Sequence, residues 1–283
     1  MFSERLAWYL ISVFVASQSD RRRRREELAS RSRGRAAAIG AELRPGGVCR
    51  LLQEDPELLE ALPPGRRGAA LEACAVRTVW LARGAWSGPS EGIVGDGIGL
   101  LVLEGLVLRR LLIAGRAGAE LLGAGDLLRP SPDQDGPPLL SAATSWEVLT
   151  PARLAVLDRG VQERLARYPE LTARLVGRAL ERSRRQSINL AIIHQARVDL
   201  RLQMLFWHLA DRWGRVRPDG IHVPLRLTHA VLADLVAAQR PSVTSALSVL
   251  ARRGVVRHLA DGWLLAASAA AEAAELSQLV KAA

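Results

Sequence analysis

The 283-residue chain has few of the residues that build metal centres, covalent cross-links or membrane spans. Its two cysteines, Cys49 and Cys74, lie far apart and have no partners at metal-ligand spacing. The sequence therefore predicts no metal site, no iron–sulfur cluster and no disulfide framework. The apolar run from Leu6 to Ala16 has eleven residues, too few to cross a bilayer. We expect a cytoplasmic protein with two inert thiols and no membrane partner.

Lysine is almost absent, because Lys281 is the only lysine among 39 basic residues. The net charge is +10 and the isoelectric point is near 11.1. An arginine bias of this kind, with abundant Ala, Gly and Leu, is typical of the codon composition of a gene rather than of the chemistry of a ligand. The charge therefore permits nucleic-acid binding without indicating it. The length suits two domains of ordinary size.

Residues 1–44 form a basic extension, with an arginine block at Arg21–Arg25 and further arginines at 31, 33 and 35. A block of like charge repels itself, so we expect disorder here. Two interpretations stay open: the extension contacts DNA phosphate without sequence preference, or it is a solvated tail without a role.

Short apolar segments punctuated by glycine fill residues 45–158 and are typical of a β-sandwich or barrel. The predicted strands are Ala75–Leu81, Ile98–Leu103, Leu106–Ile113, Ala119–Leu122 and Ala142–Leu149. A proline-rich stretch from Arg129 to Pro138 is predicted to be a loop.

Helical patterns follow from residue 151 to residue 213. Pro151 suits the first turn of a helix that begins near Ala152. A long helix is predicted from Pro169 towards Ile193, and a further one over Val198–Trp213. A long helix between two compact units is often a dimer seam, but its heptad is imperfect. Packing on its own domain is the alternative.

Two short helices with a tight turn are predicted between Leu227 and Arg253. Thr228 caps the first helix, and Arg240 opens the second, with Pro241 in its first turn. Val243, Ala246, Leu247 and Leu250 should face inward. The turn is Ala237-Ala238-Gln239, where Ala237 takes a position that needs positive φ and usually holds glycine.

This pattern is the helix-turn-helix, whose second helix lies in the DNA major groove. The outer face of that helix has one arginine and small hydroxyl residues, and no acid follows until Asp261. A two-helix corner of an ordinary bundle is the alternative. The candidate DNA-binding residues are Thr228, Gln239, Arg240, Ser242, Thr244, Ser245, Ser248, Arg252, Arg253 and Arg257.

After these helices, two short strands joined at Asp261-Gly262 predict a hairpin, and the whole predicts a winged helix. Arg252, Arg253 and Arg257 would flank the groove as phosphate contacts. Residues 269–283 have the pattern of a weak terminal helix.

Residues 60–266 resemble the Crp/Fnr family of bacterial transcription regulators. The similar segments are Arg217–Thr228, Leu227–Val256 and Glu120–Asp126. The resemblance implies an α+β fold: an N-terminal β-roll (a cyclic-nucleotide-binding-like jelly roll, 45–158), a long connecting dimerisation helix (159–195) and a C-terminal winged helix-turn-helix (196–268). It also implies a homodimer on near-palindromic double-stranded DNA, with recognition helices about 34 Å apart, and RNA polymerase as a partner.

The resemblance places Arg240 on the arginine that reads guanine. Pro241 and Ser245 replace an acidic residue and an arginine of the family pattern, so we expect a different operator. The effector pocket would contain Gly125, Asp126 and Arg129. Its Gly-Glu pair and Arg-Ser/Thr pair are missing after Asp126, so we predict that cyclic AMP does not bind and that the effector is unknown.

No cofactor or catalytic residue is identified. The segment 43–157 contains no histidine, and only its two cysteines could serve as axial haem ligands. The glycine pattern Gly95–Gly99 lacks a following helix, so phosphate binding is not expected. We predict a sequence-specific, dimeric transcription regulator rather than an enzyme. The alternative is a non-specific DNA-binding or protein-interaction module with the same fold.

Overall fold

The computed structural model describes residues 43–113, 116–130 and 142–266. Most of the basic extension, most of the proline-rich loop and the weak terminal helix, all expected from the sequence, lie outside these ranges.

Seven strands of the described chain form one antiparallel sheet, the N-terminal β-roll. Its main strand order is β1-β2-β7-β4-β5, while β3 pairs with β7 and β6 pairs with β4. The strands are β1 (Leu43–Arg50), β2 (Ala75–Leu81), β3 (Gly84–Trp86), β4 (Gly99–Ile113), β5 (Arg116–Leu122), β6 (Leu127–Leu128) and β7 (Ala142–Leu157). Short helices accompany them: α1 (Leu51–Glu54), α2 (Pro56–Glu60), α3 (Pro64–Ala73) and α4 (Glu91–Val94).

The expected helix near Ala152 is wrong, because β7 continues to Leu157. This part of β7 pairs with β2 on one side and β4 on the other, and Ala155 and Val156 are fully buried. Pro151 is tolerated because it lies at a register shift against β4, where the ladder does not need its missing N–H. A strand buried on both faces reads as a continuous apolar run, which resembles a buried helix in sequence.

The segments expected at Ile98–Leu103 and Leu106–Ile113 form one strand, β4, whose pairing with β7 shifts around Gly105. The first helix after β7 is α5 (Arg159–Leu165). Asp158 caps it by accepting a hydrogen bond from the Val161 amide at 3.0 Å.

Two helices link the β-roll to the C-terminal domain, and both have the predicted limits. They are α6 (Pro169–Ile193) and α7 (Val198–Trp213). Leu171, Leu175 and Ile192 are the buried side chains of α6. No helix among the described residues is long and apolar enough to cross a membrane.

The C-terminal domain joins two helices to a four-stranded antiparallel sheet of order β10-β11-β9-β8. Its elements are β8 (Arg215–Arg217), β9 (Gly220–Val223), α8 (His229–Leu235), α9 (Arg240–Arg252), β10 (Val256–Leu259) and β11 (Gly262–Ala266). Leu259 pairs with Gly262, so the hairpin turn is Ala260-Asp261, one residue earlier than expected. The α+β fold with a winged helix-turn-helix is confirmed.

Candidate nucleic-acid interface

The turn between α8 and α9 has the geometry that the sequence predicts. The Thr228 hydroxyl accepts a hydrogen bond from the Val231 amide at 3.3 Å and so caps α8. Ala237 has a φ of 49°, the one positive φ of a non-glycine residue in the described ranges. The Arg201 guanidinium holds this turn by donating to the carbonyls of Val236 and Ala237.

The inner face of α9 fixes the orientation of the helix. Val243 and Leu250 are completely buried, and Ala246 and Leu247 nearly so, as predicted. They join a core with Phe206 of α7 and Trp263 of β11, whose ring centroids are 5.0 Å apart. Burying one such aliphatic side chain is worth about 1.5–3 kcal/mol. The outer face is therefore held in one position towards solvent.

That outer face exposes every α9 residue that the sequence nominated. The exposed side chains are Arg240, Ser242, Thr244, Ser245, Ser248 and Arg252, with Gln239 just before the helix and Arg253 just after it. The Thr244 hydroxyl contacts the Arg240 carbonyl at 3.1 Å and His229 Nδ1 at 2.9 Å. Ser248 bonds to the Thr244 carbonyl at 3.0 Å. Local bonds of this kind can be exchanged for bonds to a ligand at small cost.

Arg240 is exposed, and its guanidinium makes no ion pair or hydrogen bond with any other described residue. Arg257 differs, because it pairs with Asp219 at 3.0 Å across exposed surface. An exposed pair of this kind is worth only about 0–1 kcal/mol. Arg257 can therefore exchange this weak pair for a DNA phosphate. Arg240 can bind DNA without breaking any existing contact.

Of the three nominated effector residues, Gly125 and Asp126 line one cleft with Asp55 and Arg178, and Arg129 is not part of its lining. Asp126 has a side chain only 3% exposed, and it pairs with Arg185 at 2.7 Å and Arg212 at 2.8 Å. It also accepts from the Gly123 amide at 2.9 Å. Gly125 has a φ of 85° in the same turn. Arg129 is exposed beside Gly99 and takes no part in these contacts. Asp126 thus links the β-roll to α6 and α7.

A ladder of arginines on α6, which the sequence analysis did not single out, holds this helix to the β-roll. Arg178 donates to the carboxylate of Asp55. Arg182 donates to both carboxylate oxygens of Glu120, at 2.6 Å and 2.9 Å. The ladder residues are Arg174, Arg178, Arg182 and Arg185. Their spacing of three and four residues puts them on one helix face, a signal visible in the sequence.

Comparison with known proteins identifies the C-terminal domain. Residues 200–266 match the Crp-like helix-turn-helix domain family. A CRP-like cAMP-activated global transcriptional regulator from Mycobacterium tuberculosis is 29% identical over 170 residues, which cover 59% of this chain and 75% of the relative. The C-terminal domain belongs to the Crp-like helix-turn-helix family. With its similarity to a CRP-like regulator, this domain makes the protein a DNA-binding transcription regulator.

Solved structures agree with the fold of this protein. A cyclic nucleotide-binding domain containing protein from Listeria monocytogenes superposes with a TM-score of 0.54 at 15% identity, over 74% of this chain and 96% of that one. A CooA variant from Carboxydothermus hydrogenoformans gives a TM-score of 0.51 at 15% identity, over 80% and 93%. At these identities the likeness extends to the fold alone.

Proposed function

We propose that this protein is a homodimer that reads a specific, near-palindromic DNA site with α9. The observation that carries the proposal is the outer face of α9. That face begins with the unpaired Arg240 and continues with hydroxyl side chains, and no carboxylate occurs before Asp261. A face of this composition approaches phosphates without repulsion and offers donors to base edges.

Arg240 is the residue that supplies base readout. It lies at the start of α9, where recognition helices contact bases. An arginine that bonds to guanine O6 and N7 is worth about 1–3 kcal/mol of discrimination against a wrong base. Ser242 and Ser245 contact bases or phosphates with little preference. Arg253 and Arg257 contact phosphates and set affinity rather than sequence.

The homodimer is formed through the exposed face of α6. Val176, Leu180 and Leu190 are 54%, 67% and 55% exposed, on the side opposite the arginine ladder. They belong to a row of exposed residues that recur alternately every three and four positions along α6: Ala173, Val176, Leu180, Ser183, Ser187, Leu190 and His194. Small side chains in such a row let two helices approach closely, so a second copy of α6 fits this face.

Val176→Glu tests the dimer. Losing two buried valines costs the dimer about 3 kcal/mol, which raises its dissociation constant at least about a hundredfold. Val216→Glu is the matched control, because Val216 is 88% exposed on β8. Analytical ultracentrifugation should show monomers for the first variant and dimers for the second. A wild-type monomer, or an unaffected Val176→Glu dimer, would reject this seam.

Selection from a randomised DNA pool at near-physiological salt tests sequence-specific binding. The proposal predicts a two-fold symmetric motif with half-sites about ten base pairs apart. An enriched pool without a motif would favour the alternative, a non-specific module, whose binding falls steeply with salt.

The effector of this protein is not cyclic AMP. The M. tuberculosis relative is named as cAMP-activated, but here Asp126 is engaged by two arginines and no Gly-Glu pair or Arg-Ser/Thr pair follows it. Calorimetry should detect no cyclic AMP binding at micromolar concentrations. A micromolar dissociation constant would overturn this part of the proposal.

A further inference from the structure

A second cleft lies where the β-roll meets the helices of the DNA-binding half. We call it the junction cleft. It is walled by β4 and β5, by α6 and α7, and by Leu235 at the end of α8, and its volume is about 410 Å³. This volume falls within the range of small-molecule sites, about 300–1,000 Å³. It adjoins the cleft beside Gly125, because Arg185 and Arg212 line both clefts.

The exposed walls of the junction cleft are mainly apolar. Leu121 and Leu209 are buried where they line it, and Ile193 and Leu235 line it as well. Trp213 and His208 are the ring-bearing residues in the described lining. Aliphatic walls favour a flexible hydrocarbon over a planar, polar nucleotide.

Two buried polar atoms at this cleft have no hydrogen-bond partner in the described part of the chain. They are Asn189 Oδ1 and Arg109 Nε. The Asn189 amide nitrogen donates to the Ala119 carbonyl at 3.3 Å, which leaves Oδ1 as a fixed acceptor. Buried polar groups are normally paired. Both atoms have almost no exposed surface, so a ligand that donates to Asn189 and accepts from Arg109 satisfies them by turning these two side chains towards the cleft.

The charge around the cleft is positive. Glu120 is shared by Arg182 and, at 3.7 Å, by Arg109, while Asp126 is shared by Arg185 and Arg212. Four guanidinium groups therefore face three carboxylates, Glu120, Asp126 and the exposed Glu181, which also acts on Arg185. Burial, together with the nearby Arg212, lowers the pKa of Arg185, as expected for a cation with too little compensation. An anion would relieve this imbalance.

We propose that the junction cleft binds an aliphatic carboxylic acid that carries a hydroxyl group. Its carboxylate meets Arg109, its hydroxyl donates to Asn189 Oδ1, and its chain lies along the leucines. Such a ligand touches the β-roll, α6, α7 and α8 together. It would therefore act as an effector if it fits one arrangement of the two halves better than another.

A contact beside the cleft shows how the halves are held. Arg110 of β4 bonds to Asp234 of α8 at 2.7 Å and to Glu147 of β7 at 2.8 Å. This ion pair docks the first helix of the helix-turn-helix against the β-roll. An occupant that moves β4 relative to α8 changes this contact. The regulatory part of the inference rests on the proposed DNA-binding function, whereas the binding part does not.

Calorimetry on the full chain with 3-hydroxydecanoate, below its micelle concentration, tests the proposal. We expect one site per chain with a micromolar dissociation constant, weaker binding of decanoate and at least tenfold weaker binding of decanol. Arg109→Gln should weaken 3-hydroxydecanoate at least tenfold. Asn189→Leu should abolish the preference over decanoate. Gly118→Leu should narrow the cleft, because Gly118 lines it, and should spare the fold, because a Cβ there meets no neighbouring atom.

No heat at millimolar 3-hydroxydecanoate would overturn the proposal. Equal binding of decanol, or binding unaffected by Arg109→Gln and Gly118→Leu, would also overturn it, because the ligand would then bind elsewhere or by apolar contact alone. The effector role is measured separately, as a shift of at least threefold in affinity for the selected DNA. If the pool yields no motif, the proposed function fails, while calorimetry still reports on the cleft.

Discussion

Replacing Ala237 by glycine should stabilise the protein, although glycine normally weakens a fold. Ala237 has a φ of 49° in the turn between α8 and α9, and its side chain is exposed. A left-handed backbone costs a residue with a Cβ about 1–2 kcal/mol, and glycine escapes this cost. The exposed methyl group gives almost no packing energy in return.

The net gain is smaller, because glycine loses more conformational freedom on folding, about 0.5–1 kcal/mol. The difference leaves a stabilisation of about 0.5–1 kcal/mol. For a chain of this size, that corresponds to a rise in melting temperature of about 1–4 °C. Arg201 holds the carbonyls of the same turn, so we expect the glycine to keep the turn in place.

Urea unfolding followed by tryptophan fluorescence, at one fixed protein concentration, measures this effect. Ala251→Gly is the matched control, because Ala251 is exposed in α9 and has ordinary helical geometry. It should lose about 0.5–1 kcal/mol. Changes of opposite sign in the free energy of unfolding support a left-handed backbone at Ala237. If both variants lose stability alike, Ala237 is not left-handed in solution, and the description of the turn is wrong.

Two further predictions concern buried charge. Asp126→Asn leaves Arg185 and Arg212 without their shared carboxylate, so it should cost about 3–5 kcal/mol in urea unfolding. The exposed Asp96→Asn should change stability by less than about 0.5 kcal/mol, and equal effects would show that Asp126 is not a link between domains. Burial lowers the pKa of His208, and Arg185 and Arg212 add to this effect. The unfolded chain therefore takes up this proton first on acidification, so stability should fall below about pH 6.5. A His208→Gln variant should lose stability less steeply as the pH falls. An identical slope of stability against pH in the two proteins would contradict this prediction.

Local signals in the sequence predicted the helices of the C-terminal half. Pro169 at the first turn of α6 and the Thr228 hydroxyl at the start of α8 act within one or two turns of their own position. The inward positions of α9 follow from 3.6-residue spacing alone. Ala237 was recognised by its place in the turn. In each case the physics that fixes the element lies within a few residues.

The errors arose where distant residues decide the structure. β7 is a strand through Pro151 because β2 and β4 cover both of its edges, and neither pairing shows in the local pattern. The ion-pair partners of Asp126 come from α6 and α7, far along the chain, so the sequence around Asp126 does not show them. The junction cleft likewise combines residues of both halves, so no single motif marks it.

Competition binding distinguishes base readout by Arg240 from contact with phosphate alone. Arg240→Ala and Arg253→Ala should be measured on the selected site and its single-base variants at several salt concentrations. We predict that Arg240→Ala loses about 1–3 kcal/mol of preference at one base pair of each half-site. Arg253→Ala should weaken all sites equally and reduce the salt slope by about two, because each half-site loses one phosphate contact. If Arg240→Ala also weakens every sequence by the same factor, α9 does not read bases through Arg240.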